Sequence, residues 1–433
     1  MRIIIAGGGW AGCSAAAAAR KAGAEVTLLE RTDMLLGTGL VGGIMRNNGR
    51  FTAAEECIAL GAGELFELID DNCRHKNIEF PGHKHVSLYD VASISGAVTR
   101  FIGSLGIEIV LRARVDSADL ENGRMVRAAS EGNIFEGDVF IDATGTAGPM
   151  NNCSKYGNGC VMCILRCPSF GGRESLAGLV GVKEKTGERA AGAGEDGALL
   201  GGALLGAMSG SCKLLKESLS PAIVEELNRK GVMVIPLPPE LREDHLSIKA
   251  CQQYAVPAFR DNVVLLDTGH AKLMMPFYDL EMLRQVPGCE NARYEDPYSG
   301  GMGNSMRFFS MAPRDNALKV TGVDNLFCGG EKAGLLVGHT EAIVTGALAG
   351  NNAVRCALGK PLLVLPRELA IGDAIAWVNE QMETPAGMMK KYTFSGSVLF
   401  DRMKELGFYT TDIGTIKKRV AGCGMEGIFA LKP

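Results

Sequence analysis

Residues 2–30, RIIIAGGGWAGCSAAAAARKAGAEVTLLE, constrain the fold more than any other stretch of the chain. An apolar run, Arg2–Ile5, enters Gly7-x-Gly9-x-x-Gly12. An alanine-rich segment of helical composition follows, and a second apolar run, Glu25–Leu29, closes on Glu30. Glycines let the backbone turn sharply and approach a pyrophosphate. The helix that starts there offers N–H groups and the positive end of its dipole to the phosphates. An acidic residue roughly 20 positions on suits a ribose hydroxyl. The stretch therefore predicts a dinucleotide site, with Gly7, Gly9 and Gly12 at the pyrophosphate and Glu30 at the ribose. The first strand starts at residue 2, so no targeting segment is expected.

The 433 residues suffice for two or three domains with sizeable cores. A hydrophobic share of 46% with 22% charged residues is ordinary for a globular protein. A net charge of −4 excludes a global basic field of the kind that draws nucleic acid. No apolar run reaches roughly 18 residues, so no membrane span is expected, and the cytoplasm is the expected location. There the 13 cysteines should be mostly reduced, and clusters among them point to metal or redox chemistry.

Several further segments read as elements. Residues 34–50 form a glycine-studded loop, and residues 52–75 and 88–105 predict helices. Ile107–Leu111, Arg114–Ala118, Met125–Ala129 and Ile134–Phe135 read as a small meander. Val139-Phe-Ile-Asp-Ala-Thr-Gly145 is a strand ending where a chain can cross under a nucleotide. Residues 190–210 read as a loop or a closely packed small-residue helix, and Val263–Asp267 as a strand. Leu326-Phe-Cys-Gly-Gly330 reads as a strand entering another glycine turn, before a helix capped near Thr340. The fold class expected is α/β: a Rossmann-like nucleotide-binding domain with an inserted α+β substrate domain and a short helical C-terminal region. Its boundaries are 1–150 and 321–360 for the two parts of the nucleotide domain, 151–320 for the insert and 361–433 for the C-terminal region.

The three separated motifs resemble those of two-dinucleotide-domain flavoproteins. Asn325-Leu-Phe-Cys-Gly-Gly-Glu-Lys-Ala-Gly334, Gly338-His-Thr-Glu-Ala342 and Gly346-Ala-Leu-Ala-Gly-Asn-Asn-Ala353 are similar to the flavin segment of the glucose-inhibited division protein A family. They are equally similar to that of the folate-dependent tRNA uridine methyltransferases, and Val286-Pro-Gly-Cys-Glu-Asn-Ala292 is similar to a short motif of both. The resemblance implies FAD as cofactor. It implies Glu30 at the adenosine ribose, Arg31 as a further cofactor-binding residue, Val115 at the adenine, and Ala143, Thr144 and Gly145 beside the nucleotide. It also implies Gly330, Glu331, Gly338 and His339 near the ribityl chain and ring. Those families usually carry glutamine where this chain has Glu331, and one extra residue precedes Gly338.

Cys153-x6-Cys160-x2-Cys163-x3-Cys167-Pro168 is the second informative feature. Its last three cysteines and the proline reproduce the end of the bacterial ferredoxin run, so the four are candidate ligands of a 4Fe-4S cluster. A redox dithiol, Cys160 with Cys163, or structural thiols, bare or zinc-bound, are the other readings. Cys160, Cys163 and His339 are the candidate catalytic residues. Arg46, Asn47, Asn48 and Arg50 could bind an anion or form a polar loop face. His83 and His85 read as an exposed strand pair, and His270 as a pocket residue.

The first functional reading is an FAD-dependent oxidoreductase passing electrons between flavin and a small-molecule or protein partner, near the Cys153–Cys167 cluster. The alternative, less favoured on sequence, is a flavin-dependent enzyme acting on a tRNA uridine. A non-catalytic flavin-bound sensor or scaffold is the third. A homo-oligomer is the default expectation.

Overall fold

The computed structural model describes residues 1–145, 170–187, 207–208, 211–246, 252–295, 306–307, 309–388 and 390–433. Its main elements in chain order begin with β1 (Arg2–Ala6), α1 (Trp10–Lys21), β2 (Glu25–Glu30), α2 (Gly49–Ala59) and α3 (Glu64–Asp71). Next come β3 (Cys73–Phe80), β4 (His83–Tyr89), α4 (Ile94–Ser104), β5 (Glu108–Leu111) and the meander β6 (Ser117–Glu121), β7 (Arg124–Ser130) and β8 (Asn133–Glu136). β9 (Val139–Asp142) precedes β10 (Cys212–Leu214), α5 (Pro221–Lys230), β11 (Val232–Pro236), β12 (Asn262–Asp267) and β13 (Ala271–Leu273). The chain closes with β14 (Leu326–Cys328), α6 (His339–Ala357), α7 (Ala370–Gln381), α8 (Ser397–Glu405) and α9 (Ile413–Gly422).

Five strands form a parallel sheet in the order β14-β9-β1-β2-β5. Ile3, Ile4 and Ile5 are buried at its centre, as expected for a strand covered on both faces. The alanine run of α1 has a structural purpose. Its small side chains let α6 approach so closely that a Cβ on Gly346 would lie 2.2 Å from the Ala11 carbonyl oxygen, and one on Gly350 2.2 Å from that of Ala15. The Ser14 hydroxyl donates to the Ile343 carbonyl across the same contact (2.7 Å). The two helices thereby start side by side above the sheet.

Residues between β9 and β14 supply an antiparallel sheet, β10-β13-β12-β11, with α5 packed on it around Leu214, Leu227, Leu265 and Tyr278. The β3–β4 hairpin pairs with Ile44–Met45 and packs through Phe80, Val86 and Leu88 against Tyr254 and Phe259. Asp267, at the end of β12, accepts from Arg74 Nε (3.0 Å) and His75 Nε2 (2.9 Å), which ties hairpin to insert. In the C-terminal region, the Glu56 carboxylate of α2 accepts from the first N–H groups of α7, Ala370 and Ile371 (3.0 Å each), and from Arg419 of α9 (3.0 Å).

Several expectations need correcting. The helix predicted over 52–75 is α2 and α3, broken at Gly61-Ala62-Gly63, and residues from Cys73 onward are strand. The helix predicted over 88–105 starts only at Ile94, because His83–Tyr89 is taken up in the hairpin. β5 does not join the meander; it extends the parallel sheet beside β2, where Thr27 faces Glu108. The strand read at Arg114–Ala118 starts at Ser117. α6 starts at His339, one residue before the cap expected near Thr340. No helix among the described residues is long and apolar enough to cross a membrane.

Candidate functional site

A cleft runs over the C-terminal ends of β1, β2, β9 and β14, the edge of an open parallel sheet where ligands bind. Its floor is the first glycine turn. Gly7 has φ +102° and a Cβ there would lie 2.3 Å from the Ala143 oxygen, so β1 and β9 can run on side by side only with glycine at this position. A Cβ on Gly12 would lie 1.8 Å from the Gly7 oxygen, which makes Gly12 a packing residue beneath the cleft rather than a wall of it. Gly9 differs: none of the described residues stands within 4 Å of where its Cβ would be.

Both helices that point at the cleft start on glycine. Gly9 caps α1 and Gly338 caps α6, and neither helix has a side-chain cap. Their first N–H groups are donors that a helix start must satisfy in some other way. Such starts suit an anionic or strongly polar ligand. This donor set, with the open face of Gly9, fits a dinucleotide lying from β2 across to α6.

At the β2 end, the Glu30 carboxylate accepts from Gly8 N (2.8 Å), Thr32 N (2.8 Å) and the Thr32 hydroxyl (3.0 Å). It lies on the cleft wall beside Arg31, whose guanidinium donates to the Gly171 carbonyl, and near Val115. Ala143, Thr144 and Gly145 line the middle, and Gly330, Glu331, Gly338 and His339 the far end. Thus Gly7, Gly9, Glu30, Arg31, Val115 and these seven residues surround one continuous space. Of the four residues considered for anion binding, only Arg50 reaches it, held by Glu341 (3.1 Å). Arg46 is turned away to Glu55 and Asp70 (2.6 Å each).

Sequence reasoning missed the residues that organise this space. Asp142 is fully buried, and its carboxylate accepts from Thr144 N (3.1 Å), Thr144 Oγ1 (2.7 Å), Ser175 Oγ (3.0 Å) and Ala177 N (3.1 Å). It thereby shapes the Ala-Thr-Gly turn. Trp10 and Tyr89 stand around His339, with ring centroids 6.4 and 6.3 Å from the imidazole. From the insert, Gln253, Tyr254, Met274 and Lys272 complete the far end, Lys272 Nζ donating to the Val41 carbonyl (2.7 Å).

Two histidine expectations fail. His83 is buried, not exposed, with Nδ1 beside Asn47 Nδ2 (3.0 Å) and Nε2 beside the Gln253 carbonyl (3.0 Å). The hairpin is bulged and His85 adopts φ +59°, so simple alternation does not hold along this strand. His270 does not line the cleft; its Nδ1 lies 3.1 Å from Glu295. Cys13 and Cys328 are buried thiols, pushed up in pKa mainly by that burial. Cys153, Cys160, Cys163 and Cys167 lie outside the described residues. Among the described residues, no cluster of three or more His, Cys, Asp or Glu side chains is arranged to hold a metal ion.

A parallel five-stranded sheet, a glycine-turn cleft across its carboxyl edge and a returning C-terminal helix define the Rossmann-like FAD-binding fold class. Residues 2–191 and 268–361 match the family described as glucose inhibited division protein A, and the chain belongs to that family. Over 114 residues it is 33% identical to the tRNA uridine 5-carboxymethylaminomethyl modification enzyme MnmG of Chlorobaculum tepidum, covering 26% of this chain and 18% of that one. Over 101 residues it is 31% identical to the methylenetetrahydrofolate–tRNA-(uracil-5-)-methyltransferase TrmFO of Dictyoglomus thermophilum, covering 23% of this chain and 22% of the relative. The matched stretches thus span about a fifth of each curated relative. Among solved structures, Aquifex aeolicus GidA superposes with a TM-score of 0.67 in one crystal form, at 16% identity, covering 99% of this chain and 74% of that one. The other form gives 0.55 at 14% identity, covering 97% of this chain and 78% of that one. At these identities the superpositions concern the fold alone.

Proposed function

We propose that the chain is an FAD-dependent enzyme that modifies a uridine of tRNA. One observation carries the flavin half of this reading: three motifs far apart in sequence line a single cleft, and two uncapped helix starts open on it. Family membership and the tRNA-acting relatives support the substrate half and favour it over the electron-transfer reading that the sequence ranks first.

In this reading the N–H groups at the start of α1, with Gly9, bind the pyrophosphate. Glu30 turns its carboxylate to the adenosine ribose beside Arg31, and Val115 covers the adenine. Ala143–Gly145 flank the nucleotide. Gly330, Glu331 and the start of α6 hold the flavin end, where helix N–H groups favour negative charge on the ring. Bound FAD supplies the redox centre. Lys272, Tyr254 and Met274 face it across the cleft and form the substrate side, at the junction where ligands commonly bind.

Filter binding of tRNA to the FAD-loaded protein over a salt series, with nucleoside mass spectrometry of tRNA from cells lacking the gene, tests the reading. The expected results are retention that falls steeply with salt and the loss of one modified uridine. Unchanged nucleosides and no salt-dependent retention would sink it. They would favour the second reading, an electron-transfer flavoprotein, which rests on the ferredoxin-like run Cys160-x2-Cys163-x3-Cys167-Pro168 and requires iron and acid-labile sulfide in anaerobically purified protein.

A further inference from the structure

Arg31, Arg114 and Arg173 line the cleft together with Val115, Glu174 and Gly145. Two of these arginines hold the protein itself in shape. The Arg31 guanidinium donates to the Gly171 carbonyl. Arg114 donates from Nε to the Gly172 carbonyl (2.8 Å) and pairs with Glu174 (2.6 Å). Its side chain lies flat against Gly171, where a Cβ would stand 2.8 Å from Arg114 Cδ. A few residues on, the Ser175 hydroxyl (3.0 Å) and Ala177 N (3.1 Å) donate to the buried Asp142 carboxylate. Residues 171–177 are therefore a strap tied down at both ends, by two arginines on one side and by Asp142 on the other.

Arg173 sits between those anchors and differs from both neighbours. It is half-buried on the cleft wall, and its guanidinium makes no hydrogen bond or ion pair with the described residues. Its Nη1 stands 3.5 Å from where a Cβ on Gly145 would lie. Gly145 closes the turn whose Ala143 carbonyl packs on Gly7, so the guanidinium is brought beside the first glycine turn. The strap thus delivers a cation to the nucleotide cleft and gives it nothing to hold there. A guanidinium carries five N–H donors and no acceptor. Its planar fork matches the oxygens of a phosphate two at a time.

We propose that Arg173 is a phosphate ligand of the cleft, closing on the diphosphate of a bound dinucleotide while the start of α1 and Gly9 hold it from the glycine turn. Arg114 is the positioning residue of this contact, because it fixes the strap that carries Arg173. The proposal rests on the reading of the cleft as a dinucleotide site and adds to it a second phosphate-binding element, supplied by residues after β9 rather than by the βαβ unit. It also accounts for Gly171. A side chain there would collide with Arg114 and lift the strap, and its φ of +75° already favours glycine.

Calorimetric titration of the flavin-free chain with FAD, ADP and adenosine, in wild type, Arg173→Met and Arg173→Lys, tests the proposal. Arg173→Met should bind FAD and ADP about tenfold or more weakly, with adenosine affinity changed less than about threefold. Arg173→Lys, which keeps the charge and loses the fork, should fall between the two. Unchanged FAD and ADP affinity in Arg173→Met overturns the proposal. So does an equal loss for adenosine, which would place the guanidinium on the base or ribose. An Arg173→Met chain that fails to fold overturns it as well, since the side chain would then be structural. If the wild type binds ADP through Arg173 and takes up no FAD, the flavin reading fails and the phosphate ligand stands; a wild type that binds neither sinks both.

Discussion

Of the three fingerprint glycines, Gly9 alone faces open space. Gly7 and Gly12 are locked against backbone atoms, so their substitution attacks the fold. A methyl at Gly9 touches none of the described residues and stands where the pyrophosphate would lie. Gly9→Ala should therefore keep the melting temperature of the wild type while weakening FAD binding by about tenfold or more, ~1.4 kcal/mol. Gly12→Ala should lose both. Thermal melts and flavin titration on the two variants check this, and equal flavin affinity in Gly9→Ala would contradict the placement. The same contrast shows what the sequence can reveal at this scale. Glycine spacing marks the turn and its ligand; that Gly7 serves packing depends on the Ala143 carbonyl just beyond β9, more than a hundred residues away, and that Gly12 does depends on the Gly7 carbonyl folded beneath it. Asp142 was visible within Ile-Asp-Ala-Thr-Gly, but its role depends on Ser175 and Ala177. Tyr89 carried no local signal at all, since its contact with His339 is made by a hairpin that the 88–105 periodicity concealed.

Elements are held in place here by buried charges. Glu56 serves as the N-terminal partner of α7 and as the anchor of Arg419 on α9. Burial raises its pKa, against the pull of the α7 N–H groups and Arg419. Glu56→Ala leaves two helix N–H groups without their acceptor and Arg419 without its carboxylate, the guanidinium keeping only the Phe408 and Gly407 carbonyls. It should cost about 3–5 kcal/mol in urea unfolding, without removing any cleft residue. A loss below about 1 kcal/mol would show that the C-terminal helices are held by apolar packing alone. A second anchor is pH-dependent. Burial alone would raise the Glu184 carboxyl, but Lys332, with the Ser310 hydroxyl, holds it below the usual carboxylate range. A carboxylate with a lowered folded-state pKa stabilises the protein above its unfolded value, about 4.3. That stability is lost as pH falls through the folded value. Glu184→Gln should therefore lower stability by about 1–3 kcal/mol at neutral pH, and the gap to wild type should close below about pH 4. A gap that is constant with pH would show that the ion pair contributes nothing. Neither anchor was legible in the sequence, because each joins residues far apart along the chain.

Across the whole molecule, the sequence was most informative where the chain is locally self-consistent. The βαβ unit, the Val139–Asp142 strand and the returning LFCGG-plus-helix segment were all read correctly, because each carries its own periodicity and glycine punctuation. The sequence was least informative where tertiary partners override local pattern, as at β5, which leaves the meander to extend the parallel sheet, and at the bulged strand that buries His83. The central claim is that the cleft joining those distant motifs holds FAD. It is tested most directly by visible absorbance of the protein after equilibration with FAD and gel filtration. Stoichiometric retained flavin, with a shifted spectrum and a much weaker hold on FMN, which lacks the adenosine half that Glu30 and Val115 would grip, is the predicted result. Protein that emerges colourless at saturating FAD would contradict the claim.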